Sequence, residues 1–161
     1  MDMIAQKCTE GGISAIHPVR FERCVAVWDG KDVTKKTERL ARIIREAAKQ
    51  SGRCLCPEIS APLSVREMCG RFGGFDAVLI PWEGADGPGP LGWMRSRETP
   101  PASLALVIGP EGGITEKEIA LMEESGGQTI TLGRRILRTE TAGLCALAAF
   151  LALSGDMEYD L

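Results

Sequence analysis

Apolar residues between Thr34 and Ser51 recur at helical spacing. Leu40, Ile43, Ile44, Ala47 and Ala48 share one face, and Lys35, Arg39, Arg42, Lys49 and Arg53 share the other. Thr34 is the expected N-cap and Gly52 the expected stop. Four more helices are expected: Met3 to Glu10 before Gly11-Gly12, Ser64 to Phe72 before Gly73-Gly74, Thr115 to Glu124 before Gly126-Gly127, and Thr139 to Leu153 with Thr139 or Thr141 as cap. Short runs of strand formers lie between them. These are Ile13 to Val19, Val25 to Trp28 ahead of an Asp29-Gly30 turn, Pro57 to Ile59, Ala77 to Ile80, Leu104 to Ile108 and Gln128 to Leu132. Strands alternating with helices predict an α/β domain, a mostly parallel sheet flanked by helices. Pro81 to Pro101, rich in Gly and Pro, reads as one long loop.

Three of these strands end in glycine-bearing loops. In a parallel sheet such ends lie on one side, where ligands bind. The first is GPEGG, Gly109 to Gly113, between a buried-type strand and a helix start. Thr115-Glu116-Lys117-Glu118 is a capping box, so the glycines are not needed to begin the helix. No lysine follows as a Walker loop requires, the dinucleotide Gly-x-Gly-x-x-Gly pattern is absent, and Glu111 would repel a phosphate. The turn suits a neutral or cationic ligand; the alternative is a tight turn that holds nothing. The second loop is LGRRILRTETAG, Leu132 to Gly143. Arg134, Arg135 and Arg138 flank Ile136-Leu137, an apolar pair that walls an adenine-sized pocket or belongs to the core. The third follows Val78-Leu79-Ile80-Pro81-Trp82-Glu83 and is either a binding loop or a plain surface loop.

Composition narrows the function classes. The chain has 161 residues, 44% hydrophobic and 25% charged, which suits one globular domain. Net charge is −3, so RNA binding would need a local basic patch rather than an overall field. The longest apolar stretch, Ala142 to Leu153, is too short for a membrane span. The N-terminus carries no charged-then-apolar export pattern. Six cysteines fit no disulfide framework, and with a single histidine, His17, they make a weak metal site. Reduced thiols and a cytoplasmic location are expected, with no metal and no membrane partner. Candidate stacking aromatics are few: Trp28, Trp82, Trp93, Tyr159 and four Phe, with Trp82 beside Glu83 the best placed.

GPEGGITEKE and LGRRILRTETAG, in this order, resemble the small-subunit ribosomal RNA methyltransferase E family, of the SPOUT class; QKCTEGGISAIHP and ERLARIIREAAKQSGR extend the resemblance to nearly the whole chain. The resemblance implies a C-terminal deep trefoil knot, a homodimer, and S-adenosyl-L-methionine as methyl donor. The substrate it implies is uridine N3 in the small-subunit (16S) ribosomal RNA or the 30S subunit. Carried over, the cofactor loops contain Ile80, Pro81, Trp82 and Glu83; Gly109, Pro110, Glu111, Gly112 and Gly113; and Leu132, Gly133, Ile136, Leu137, Arg138, Thr141 and Ala142. The last helix would supply core and dimer contacts through Ala142, Leu144, Leu147, Ala148 and Leu151. Family members carry an N-terminal PUA-like RNA-binding domain. Here residues 1–161 read as the methyltransferase domain alone, and that domain is expected to be missing. Gly11 stands where members usually show Leu.

Transfer to uridine N3 requires that its proton leave while charge builds on the base carbonyls. Arg138 is the first choice to stabilise that charge, with Arg134 or Arg135 second. Glu140 and Glu83 are candidate bases, against the plainer role of ion-pair partners to the arginines. His17 is an alternative base, though a structural histidine is favoured. Arg39, Arg42 and Arg135 are candidate RNA contacts, while Glu38 and Glu46 interrupt the helix stripe and favour a solvated face as readily. Two other readings stay open: a knotted ribose 2′-O methyltransferase, and a non-catalytic dimeric domain that binds an adenosine-type ligand or RNA.

Overall fold

A computed structural model describes residues 1–26, 28 and 30–158. Val27, Asp29 and Tyr159 lie outside the described residues, and with them parts of the expected Val25 to Trp28 run and Asp29-Gly30 turn. The order of elements is α1 (Asp2–Glu10), β1 (Ala15–Ile16), β2 (Val19–Arg20), α2 (Lys31–Gln50), β3 (Glu58–Ile59), β4 (Leu63–Ser64) and α3 (Val65–Cys69). Then follow β5 (Ala77–Pro81), α4 (Pro90–Arg95), β6 (Leu104–Leu106), α5 (Glu116–Glu124), β7 (Gln128–Ile130) and α6 (Thr139–Ser154).

Every strand pairing is parallel, as the alternation of elements predicts. The ladders are three, however: β1 with β3, β2 with β4, and β6-β5-β7. The expected strand Ile13 to Val19 is cut at His17-Pro18. Pro18 has no N–H to give, and Ser60, Ala61 and Pro62 stand opposite only His17 and Pro18, a local bulge. The chain re-pairs where Leu63 N–H donates to the Pro18 carbonyl (2.8 Å).

The sheet β6-β5-β7 is covered on both faces, which explains why β5 reads as an unbroken apolar run. Val78 and Ile80 pack with Met68, Phe72, Ile114, Ile119 and Met122 of the α3–α5 layer. Leu79 points the other way with Ile130 against Trp93 of α4 and Phe150 of α6. The two rings meet edge to face at 5.7 Å, and Trp93 Nε1–H donates to Gln128 Oε1 (2.7 Å). Ala5 of α1 with Leu40 and Ile44 of α2 form a third cluster over Ile16 and Ile59.

Several expected boundaries move. α2 starts at Lys31 with Gly30 at its N-cap, so Thr34 lies within the helix and caps nothing. Helix continuation is cheap there because Thr34 stays exposed. α3 ends at Cys69, and Gly73-Gly74 belong to a 3-10 turn. The long Pro81 to Pro101 loop contains α4, begun by Pro90 at its first turn. Neither Thr139 nor Thr141 caps α6; Arg138 occupies the N-cap position without a side-chain bond. No helix among the described residues is long and apolar enough to cross a membrane.

Candidate functional site

The order β6-β5-β7 puts the C-terminal ends of three parallel strands side by side, so their three loops leave from one edge. The loops also touch. Trp82 N–H donates to the Ile130 carbonyl (3.1 Å), and Thr131 N–H donates to the Pro88 carbonyl (3.3 Å). Thr139 Oγ1, at the start of α6, donates to the Gly109 carbonyl (3.0 Å). A Cβ built on Gly113 would lie 3.0 Å from Glu83 Oε1. Loops from three separate stretches of sequence thus form one assembly.

Within it the glycines are there for space and conformation. Gly113 has φ +75° and Gly133 φ +97°, both in the left-handed region. A Cβ on Gly109 would meet Ile114 Cγ1 at 2.6 Å, and one on Gly112 would meet the Arg23 backbone carbonyl at 2.7 Å. The Trp82 ring folds over Gly84, within 2.6 Å of where a Cβ would stand. The helix that follows GPEGG starts as the sequence predicts. Thr115 Oγ1 accepts from Glu118 N–H (3.3 Å), and Glu118 Oε2 accepts from Thr115 N–H (3.0 Å) and from its hydroxyl (2.9 Å).

Most of the polar candidates stand on the surface of these loops. Glu83, Glu111, Arg134, Arg135, Arg138 and Thr141 are exposed, while Glu140, Leu132, Leu137 and Ala142 are half-buried; Ile80 is buried beneath them and Pro81 is half-buried. Ile136 is 88% exposed, so protein contacts alone make it neither a pocket wall nor a core residue. Arg39 and Arg42 sit elsewhere, on α2, which packs on α1 and β3. Arg39 is tied to Asp2 in an exposed ion pair. His17 is held in the β1–β3 region with Nδ1 3.0 Å from Ser60 Oγ. That hydroxyl also lies 2.9 Å from the Ala61 carbonyl, as its donor. Burial and then the Arg71 guanidinium hold its pKa below the usual value, against an opposite pull from Glu58. That is a structural histidine. Among the described residues no cluster of His, Cys, Asp or Glu is placed to hold a metal ion.

Two contributors carry no signal in the sequence. Thr139 reads there as a cap and in the fold cross-links two loops. The segment Phe21 to Cys24 reaches GPEGG from ninety residues away: Glu22 N–H donates to Glu118 Oε1 (2.8 Å) and Arg23 Nη1 to the Gly112 carbonyl (3.4 Å).

This α/β arrangement, with three loops joined at the carboxyl edge of a parallel sheet, is that of an RNA methyltransferase domain. The family model of that description matches residues 1–151, and the chain belongs to this family. It is 39% identical over 152 residues to ribosomal RNA small subunit methyltransferase E of Bacillus subtilis, covering 92% of this chain and 59% of the relative. It is 37% identical to the protein of that name from Synechocystis, covering 93% of this chain and 48% of the relative. Among solved structures, ribosomal RNA small subunit methyltransferase E from Neisseria gonorrhoeae, bound to S-adenosyl methionine, superposes with a TM-score of 0.82 at 36% identity. That match covers 95% of this chain and 60% of the other. The chain thus spans about half to three-fifths of the length of these relatives.

Proposed function

We propose that this chain is a SPOUT methyltransferase domain that uses S-adenosyl-L-methionine to methylate uridine N3 in small-subunit ribosomal RNA. The observation that carries the reading is the junction of the three loops: Glu83 against Gly113, Thr139 against Gly109, and Thr131 against Pro88. The Bacillus and Neisseria relatives support the choice of donor and RNA. On the same basis the last three loops form a trefoil knot, residues 1–161 are one catalytic domain, and the protein works in the cytoplasm.

The site's chemistry fits the donor. Ile114 and Arg23 occupy the space a Cβ would need at Gly109 and Gly112, and Gly113 holds a left-handed φ, so the turn offers backbone rather than side chains on its remaining face. Bare backbone can approach an adenosine closely without a phosphate-binding lysine. Glu83 sets a carboxylate against Gly113, and Glu111 stands in the turn itself, which suits a cationic sulfur better than an anion. When bound, S-adenosyl-L-methionine supplies an activated methyl group. The residues that would hold it are Ile80, Pro81, Trp82, Glu83, Gly109 to Gly113, and Leu132, Gly133, Ile136, Leu137, Arg138, Thr141 and Ala142.

The protein's own work is orientation and charge stabilisation. Arg138, fixed at the N-cap of α6 and exposed, donates to the uracil carbonyl where charge builds; Arg134 assists. Glu140, on the first turn of the same helix, is the residue we assign to accept the N3 proton, with Glu83 the alternative. Arg135 meets RNA phosphates beside the three loops, while Arg39 and Arg42, on α2 away from those loops, would be a separate RNA contact. A homodimer uses α6, where Ala142, Leu144, Leu147, Ala148 and Leu151 supply both core and dimer contacts; of these Ala148 is exposed and the others half-buried.

The test is methyl transfer to undermethylated small subunits, followed by digestion and mass spectrometry to place the methyl on base or ribose. Arg138→Ala should slow transfer about a hundredfold or more. A methyl on ribose would refute the N3 assignment, and calorimetry without binding of the donor would refute the reading as a whole.

A further inference from the structure

We propose that the segment Phe21 to Cys24 is a strap that positions the GPEGG turn, with Arg23 as the positioning residue that acts through Gly112 on the methyl-donor site. The proposal rests on the functional reading above. Four contacts carry it. Phe21 is buried in the cluster that contains Ile114, the residue after the turn. Glu22 N–H donates to Glu118 Oε1 at 2.8 Å, which ties the segment to the capped start of α5. The Arg23 carbonyl and Cβ lie 2.7 and 2.8 Å from where a Cβ of Gly112 would stand, so Arg23 backbone lies directly against the turn. Arg23 Nη1 donates to the Gly112 carbonyl at 3.4 Å, and lies 3.9 Å from the Cβ position of Gly113, which Glu83 Oε1 approaches to 3.0 Å.

Gly113 is therefore bracketed by a guanidinium from the N-terminal segment and a carboxylate from the loop after β5. Glycines leave a turn with many accessible backbone states. A ligand that needs one of them binds more weakly by the fraction in which it is populated. The strap raises that fraction before the donor arrives. Arg23 is exposed and outside the core, so its removal should loosen the turn without unfolding the chain.

The experiment compares the unsubstituted chain with Arg23→Ala and Arg23→Lys. Hydrogen exchange on the protein without donor reads the turn directly. Arg23→Ala should speed exchange of the Gly113 amide, which donates to the Pro110 carbonyl (2.9 Å), several-fold and leave those of α6 unchanged. With donor, Arg23→Ala should raise both Kd and KM for S-adenosyl-L-methionine roughly three- to tenfold, the worth of one modest hydrogen bond. It should leave kcat at saturation and Tm unchanged, and Arg23→Lys should recover part of the loss. Unchanged exchange at Gly113 would overturn the strap whether or not the donor binds. Unchanged Kd, or a loss confined to kcat, would overturn its role at the site. If the unsubstituted chain bound no donor, the exchange result would still judge the strap, while the methyltransferase reading would fall separately.

Discussion

Glu118 offers a test of how the two halves of the chain are joined. It is 9% exposed and its carboxylate accepts from three groups: Glu22 N–H on Oε1, Thr115 N–H and the Thr115 hydroxyl on Oε2. Glu118→Gln keeps the shape but replaces one oxygen by an amide NH2, which must face a donor. Turned toward Thr115 it would oppose the backbone N–H and displace the hydroxyl bond. Turned toward Glu22 it opposes a single N–H. The second orientation wins, so the capping box survives and the bond to Glu22 is lost. An unpaired buried donor costs about 1–3 kcal/mol. At this chain length that lowers Tm by roughly 2–12 °C. Glu118→Ala removes the cap as well, for a total of about 1.5–5 kcal/mol. Urea titrations at matched protein concentration would read both as falls in midpoint at constant m. Equal midpoints for Glu118→Gln and the unsubstituted chain, or equal losses for the two variants, would refute the account of this carboxylate as a clamp.

Other outcomes follow from the same contacts. The His17 pKa lies below its unfolded 6.5, with burial the main cause, so the unfolded chain takes up the proton more readily and stability falls as pH drops through that value. His17→Gln should flatten the fall between about pH 7 and 5, and identical pH curves for both chains would refute this. Trp93→Phe keeps the edge contact with Phe150 but loses the bond to the Gln128 side-chain oxygen, which is exposed and turns to water, at about 0.5–1.5 kcal/mol. Trp93→Ala should cost about 3–5 kcal/mol, and equal losses for the two would show that the Gln128 bond adds nothing.

Local rules wrote much of this structure into the chain. The capping box at Thr115 and Glu118, the apolar stripe of α2 and the both-sides-buried run of β5 are effects of residues within a few positions of each other, and each is found as expected. The alternation of elements was enough to predict parallel pairing and three loops at one edge, because connection handedness and length leave few other topologies. Capping failed as a guide at Thr34 and at Thr139. Each helix starts earlier than the threonine, with Gly30 and Arg138 at the N-cap positions, so Thr34 and Thr139 lie inside the helix, and the Thr139 hydroxyl donates to the Gly109 carbonyl instead.

What only the tertiary structure decided depends on pairs far apart along the chain. Whether GPEGG is backed by Arg23, whether Glu118 serves one partner or two, and whether Ile136 is covered are not functions of spacing. Periodicity fixes which face of an element is apolar, since that is geometry of a single backbone. It carries no term for which distant backbone group arrives at a given carbonyl. That is settled when the sheet, its two helical layers and the N-terminal segment close on one another, and the contacts made then hold the candidate site together.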